Sequence, residues 1–424
     1  MTATLPPAFR SWRTRVFVST WFCYAGYYFC RKPFSIVKAD LGRTLHFSAI
    51  DLGHIYEAYL LAYTIGQFAS GGLGPRFGPR KLLLSGIFVS ILCSIAFGFL
   101  PSLGWFIAFM ALNGIAQATG WSNCVGTMAN WFRREERGTV MGVWATNFQI
   151  GGVVANGLAA WTFAHFASEG GNELGLGMAF WSGATVLALV GMGVFAWQRN
   201  SPPDVGLPAI VDSDTPTSSE PVVWSRSVWT TVLLIGGAYF GMKFIRYALW
   251  SWAPFFLVNN FGLKGDKAGY ISTLFDLCGI AGVICTGWLS DRFFASRRAL
   301  VSFLMVCGLV LATVFLVTLG TGSVTGFAIG LGLIGFALYG PDSLLTGAGA
   351  MDVGGGSGAV RASGIISGLG SAGSVLQELV IAKMYDSDPT RIGPIFATLF
   401  GSAVFTAICV GAMVWRNRRG VSDV

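Results

Sequence analysis

Arg31 and Arg246 sit deep inside stretches that are otherwise apolar enough to cross a membrane, and they hold matching places in the two halves of the sequence. A charged side chain at a bilayer centre costs roughly 2.5–3.5 kcal/mol on insertion scales, so a chain that keeps two of them has a use for them. The chemistry a guanidinium offers there is capture of an anion. Its planar fork meets phosphate oxygens bidentately, and such charge-assisted bonds are about twice as strong as neutral ones. The surroundings of the two arginines also match. Tyr24, Tyr28 and Arg31 return at an offset of 215 as Tyr239, Lys243 and Arg246. The i, i+4, i+7 spacing puts each trio on one helical face. Gly53, Ile55, Gly71, Leu73 and Arg76 return at an offset of 216 as Gly269, Ile271, Gly287, Leu289 and Arg292. The chain therefore reads as two repeats of about 200 residues, an organisation of secondary transporters in which the ligand is held between halves at mid-membrane depth.

The elements that must position these residues are membrane helices. With 53% hydrophobic, 14% aromatic and 11% charged residues over 424 positions, the chain is too apolar for a soluble domain, in which about 25% are charged. Runs long enough to span recur at 16–37, 51–73, 82–100, 104–130, 138–163, 178–197, 228–258, 267–289, 299–319, 323–350, 358–382 and 393–415. The expected fold is an all-α membrane protein with twelve transmembrane helices in two pseudo-symmetric six-helix bundles. The expected domains are residues 1–198, a cytoplasmic linker at 199–227 rich in Pro, Ser and Asp, and residues 228–424. The net charge of +8 is distributed by side. Eighteen Lys and Arg residues fall before the first run, in every second loop and after the last run, against five (Lys38, Arg43, Lys264, Lys267 and Arg391) on the other side. The positive-inside rule puts both termini in the cytoplasm and disfavours a nucleic-acid surface. The first run lacks a cleavage site and stays as a helix rather than a signal peptide.

Other chemistry is sparse. All eight cysteines lie inside the runs without metal-ligand spacing, and the three histidines make no cluster. No nucleophile with a base, phosphate-cradling glycine loop or paired catalytic carboxylates occur, so no enzyme, cofactor or metal is expected. Glu57, Asp342 and Glu378 lie within runs and are open to two readings, proton relay or ordinary hydrogen bonding. Glycine clusters at Gly151-Gly152, Gly347-x-Gly349 and Gly364 to Gly368 allow close helix packing.

Gly287-Trp288-Leu289-Ser290-Asp291-Arg292 resembles the signature loop of the major facilitator superfamily, and the matching first-half run, Gly71-Gly72-Leu73-Gly74-Pro75-Arg76, has proline in place of the acid. Four further blocks resemble the organophosphate:phosphate antiporter family of that superfamily: Tyr24 to Lys32, Asn113 to Trp121 with Asn130-Trp131-Phe132, Arg137 to Trp144, and Tyr339-Gly340-Pro341. The resemblance implies a major facilitator fold. It places the family's paired arginines on Arg31 and Arg246, with Lys32 in the same block, its tryptophans on Trp121 and Trp144, its tyrosines on Tyr24, Tyr28, Tyr63 and Tyr339, and its eighth-helix acid on Asp276. Three departures accompany it. Phe148 replaces the histidine of glycerol-phosphate carriers, Gln67 replaces a lysine that many members have, and Lys243 stands where glycerol-phosphate carriers have tyrosine.

The function expected on these grounds is exchange of a phosphate monoester, either a sugar phosphate or glycerol phosphate, for inorganic phosphate by alternating access. Arg31 and Arg246 would clamp the phosphate, with Lys243 and Gln67 completing the site. Confining uncompensated cations in a low-dielectric site costs several kcal/mol, so an anion should be needed for reorientation. Three other readings stay open: a sugar-phosphate sensor with little transport, a proton-coupled organic anion carrier, and arginines held in structural ion pairs, such as Arg246 with Asp276. The expected setting is the bacterial inner membrane, as a multi-pass monomer in the lipid bilayer.

Overall fold

The computed structural model describes residues 6–99, 102–210, 224–263, 265–295, 297–387 and 392–420. Lys264, Arg391 and the 211–223 part of the linker lie outside them. Fifteen α-helices cover the described residues. They are α1 (Pro7–Tyr27), α2 (Lys32–Leu45), α3 (Ala49–Phe77), α4 (Pro79–Phe97), α5 (Leu103–Gln117), α6 (Thr119–Trp131), α7 (Arg137–Trp144), α8 (Thr146–Gly170), α9 (Asn172–Trp197), α10 (Arg226–Asn259), α11 (Gly265–Phe293), α12 (Arg298–Phe315), α13 (Val324–Ser343), α14 (Ala350–Ser387) and α15 (Gly393–Arg418). Among the described residues, every one of the twelve predicted runs is helical. Three of them are broken: the first between α1 and α2, the fourth at Ala118 between α5 and α6, and the fifth at Ala145 between α7 and α8.

Loop serines start several of these helices. Ser48, Ser102, Ser225 and Ser323 accept hydrogen bonds from the first-turn N–H groups of α3, α5, α10 and α13. Each thereby satisfies a donor that has no partner within its helix. At Ser48 the arrangement is reciprocal, since Asp51 accepts from the Ser48 N–H at 2.9 Å.

Nine helices among the described residues are long and apolar enough to cross a membrane by composition alone. The runs that fall short are those of α1, α3 and α5–α6, which carry tyrosine, asparagine, glutamine and arginine on their buried faces. On α3 the pattern of a water-soluble helix is inverted: Gln67 has no exposed surface while Ile65 is 67% exposed. A helix that hides its amides and displays its isoleucine is solvated by lipid rather than water.

Contacts divide the chain into two compact units. One holds the described residues of Met1–Phe132 and Trp144–Ser213, the other those of Arg133–Val143 and Asp214–Val424. Glycines set the helix spacing inside each. In the first unit a Cβ at Gly151 would lie 2.8 Å from Ala25 Cα. In the second, the Gly282 backbone of α11 lies under the Phe336 carbonyl and Gly335 of α13 under that of Phe275, positions that a Cβ would block. The start of the linker is tied to the first unit, because Asn130 Nδ2 donates to the Asn200 carbonyl and Trp131 Nε1 to the Arg199 carbonyl, both at 3.0 Å.

Candidate functional site

In the first unit the site begins with a helix that fails to continue. Pro33 has no N–H, its ring crowds the carbonyl four residues back, and it disfavours helical backbone at Lys32. The chain passes through a 3-10 turn at Tyr28–Cys30 before α2 starts. Arg31 N–H donates to the Tyr28 carbonyl at 3.1 Å, which leaves the Tyr27 carbonyl without its α-helical partner. Gln117 Nε2 takes that carbonyl at 3.2 Å, and Asn113 Nδ2 takes the Cys30 carbonyl at 3.0 Å. The other end of the same amide holds the arginine: Gln117 Oε1 accepts from Arg31 Nε at 2.9 Å and from Tyr59 OH at 3.1 Å.

The Arg31 guanidinium then lies among three rings, with its carbon 4.8 Å from the Tyr28 centroid, 5.5 Å from that of Tyr59 and 5.1 Å from that of Tyr63. Tyrosine faces attract a cation by about 0.5–2 kcal/mol each, but they accept its N–H groups poorly. Arg31 Nη2 is buried and makes no hydrogen bond to any described residue. Leaving a buried polar group unpartnered costs about 1–3 kcal/mol, more when it is charged. An anionic oxygen is the partner that would remove this cost. Four helical positions beyond Tyr63 on α3, Gln67 is fully buried and neither of its amide atoms is bonded within the described residues.

In the second unit α10 runs unbroken through its arginine, because its proline, Pro254, comes eight positions later. Tyr239, Lys243, Arg246 and Trp250 fall on one face of α10. Arg246 Nη1 donates to the carboxylate of Asp342 on α13, and its Nη2 to Tyr239 OH at 3.3 Å. The rings of Tyr239, Tyr247, Trp250 and Tyr339 lie with centroids 5.6–5.9 Å from the guanidinium. Lys243 Nζ donates to Ser371 Oγ at 2.8 Å and lies 4.9 Å from the Tyr239 ring centroid. Asp276 Oδ1 accepts from Trp250 Nε1 at 2.9 Å and from Tyr339 OH at 2.6 Å.

Most of the expected site residues thus fall into two clusters, one per unit. Arg31, Tyr28 and Tyr63 meet in the first; Arg246, Lys243, Asp276 and Tyr339 meet in the second. Tyr24, Trp121 and Trp144 pack together at ring distances of 5.2–5.9 Å and join the first cluster through Tyr24 and Tyr28 at 6.1 Å. The Trp144 indole N–H is engaged by Thr20 at 3.1 Å, so this trio supports the arginine's neighbours. Lys32 is half-buried at the first residue of α2. Arg246 is in an ion pair, and the carboxylate bonded to it is that of Asp342, while Asp276 accepts from a tyrosine and an indole. Gln117, Asn113 and Tyr59 were missed as site residues. Their signal was present in helical spacing, since Tyr59, Tyr63 and Gln67 recur every fourth position, as do Asn113 and Gln117.

The model of the Major Facilitator Superfamily matches residues 20–378, and the chain belongs to that superfamily, whose members are transporters rather than enzymes. Its curated relatives narrow the branch. The glycerol-3-phosphate transporter of Bacillus subtilis is 29% identical over 98% of this chain and 95% of its own length. The glucose-6-phosphate exchanger of Danio rerio is 27% identical over 97% and 94%. These relatives agree with the resemblance to the organophosphate:phosphate antiporter family. Among solved structures, the superfamily transporter FucP in its outward conformation superposes with a TM-score of 0.72 at 14% identity, covering 96% of this chain and 99% of that one. At that identity the likeness is one of fold.

Proposed function

We propose that the chain carries a phosphate monoester, a sugar phosphate or glycerol phosphate, across the membrane in exchange for inorganic phosphate, with Arg31 and Arg246 each furnishing a guanidinium to the ligand's phosphate. The observation that carries this reading is the buried Nη2 of Arg31, an unpartnered cationic donor in a tyrosine cage whose other guanidinium contact is fixed by Gln117. The glycerol-phosphate and glucose-phosphate relatives support the substrate class. A ligand anion supplies the missing partner of Arg31, and the compensated site then crosses the low-dielectric barrier that a bare buried cation resists. The excess of cationic loops on one side favours cytoplasmic termini, and the bacterial relatives support a bacterial cytoplasmic membrane as the setting.

The test is reconstitution into phosphate-loaded vesicles supplied with labelled glucose 6-phosphate, glycerol 3-phosphate or phosphoglycerate. Exchange of at least one ester is expected. Arg31→Lys and Arg246→Lys are each expected to abolish it in protein that still folds and inserts, because lysine keeps the charge and loses the fork. Normal exchange by either variant overturns the role given to that arginine, and ester binding without flux would assign the chain to sensing instead.

A further inference from the structure

The second unit differs from the first in one respect that the repeat does not predict: its arginine already has an anion. Asp342 lies beside Pro341 on α13, its side chain 4% exposed and that of Arg246 7% exposed. One helical turn before Arg246, on the same face of α10, stands a second buried cation, Lys243, 4% exposed and within electrostatic reach of the same carboxylate. Asp276 adds a second acid to the cluster. Two cations and two carboxylates thus balance within the cluster formed by these described residues. In the first unit Gln117, a neutral amide, holds the corresponding guanidinium.

Resting on the reading that the chain binds phosphate, we propose that Asp342 is a built-in counter-anion that occupies Arg246 when no ligand is bound and hands it to the ligand's phosphate by swinging to Lys243. Two consequences follow from the charges. Phosphate must displace a carboxylate, so this unit binds it more weakly than an unopposed arginine would. The ligand-free site of this unit is already compensated, which leaves Arg31 alone of the two arginines to oppose reorientation of the empty carrier, so that exchange is preferred and not strictly obligatory. No bond is made or broken; a carboxylate changes cationic partners.

The experiment compares inorganic phosphate binding to the purified chain with two fluxes in vesicles, exchange into phosphate-loaded vesicles and net uptake into phosphate-free ones. Wild-type protein is expected to show measurable net uptake beside exchange. In Asp342→Asn, phosphate is expected to bind about tenfold tighter, because its competitor for a charged hydrogen bond is gone. The ratio of net uptake to exchange should fall by about as much. Lys243→Gln should weaken phosphate binding more in the wild-type background than in the Asp342→Asn background, where there is no carboxylate to receive. Strict exchange by wild type overturns the proposal even if Asp342→Asn does not fold. So does weaker or unchanged phosphate binding by Asp342→Asn, or an equal loss from Lys243→Gln in both backgrounds. A wild-type protein that neither binds phosphate nor exchanges any ester would instead overturn the functional reading itself.

Discussion

Each arginine is held by a different kind of neighbour, and the difference decides what substitution does. Gln117 makes four hydrogen bonds with its one amide, to Arg31, Tyr59, Asn113 and the Tyr27 carbonyl, at 2.9–3.2 Å. Replacing it with leucine of similar volume strands a backbone acceptor and the Arg31 Nε–H in a buried site. Each stranded group costs about 1–3 kcal/mol. Gln117→Leu is therefore expected to lower the denaturation midpoint and to raise the phosphate dissociation constant about tenfold or more, since Arg31 loses the bond that fixes its plane. A variant that melts earlier but binds phosphate as wild type does would show that Gln117 supports only the helix break and not the arginine. Tyr59→Phe, which removes one hydroxyl and leaves the ring under the guanidinium, should have a smaller effect on both measurements.

At the scale of elements, the segment Arg133–Val143 groups with the second unit through a buried charge network. Asp352 at the start of α14 has no exposed side-chain surface and accepts from Arg137 Nη1 at 2.9 Å and Arg298 Nε at 3.2 Å. Arg298, also without exposed surface, bonds Asp291, Ser290 Oγ and the Arg134 carbonyl. Asp291 is the acid of the loop motif whose first-half counterpart is Pro75. Removing one member of a buried network strands the charges left behind, at about 3–5 kcal/mol. Asp352→Asn is expected to destabilise the protein by that order, read as a lower midpoint in detergent; a midpoint within the error of wild type would mean that the cluster is hydrated enough to stand the loss. The twelve runs were legible because lipid-facing helices must be apolar along their whole length, a signal that survives without knowing any contact. Helix breaks were only half legible. Pro33 marks one in the sequence, but the side-chain amides that donate to the freed carbonyls come from α5, about 85 positions away. The same limit hid the ion pair of Arg246 with Asp342. Asp276 and Asp342 both occupy buried helices of the right half, and only the packing of α10 against α11 and α13 decides which one faces the guanidinium.

Over the whole molecule, charge is the quantity that the proposed cycle must conserve. The two proposed phosphate-binding arginines with Lys32 and Lys243, set against Asp342 and Asp276, leave an excess of two positive charges. A phosphate monoester, which carries close to two negative charges near neutral pH, can cancel it. If an ester dianion enters as a phosphate dianion leaves, the loaded protein moves the same charge in both directions and a full turn transfers none. Moving one elementary charge through 100 mV is worth about 2.3 kcal/mol, enough to change a voltage-sensitive step by tens of fold. Exchange in vesicles clamped at such a potential by a potassium gradient and ionophore is therefore expected to run at the rate seen without one. Net uptake of inorganic phosphate into phosphate-free vesicles, in which the empty carrier returns alone, should respond to the sign of the potential. An exchange rate that changes severalfold with voltage would mean that the substrates differ in charge or that a proton travels with one of them, and would favour the proton-coupled carrier over phosphate exchange.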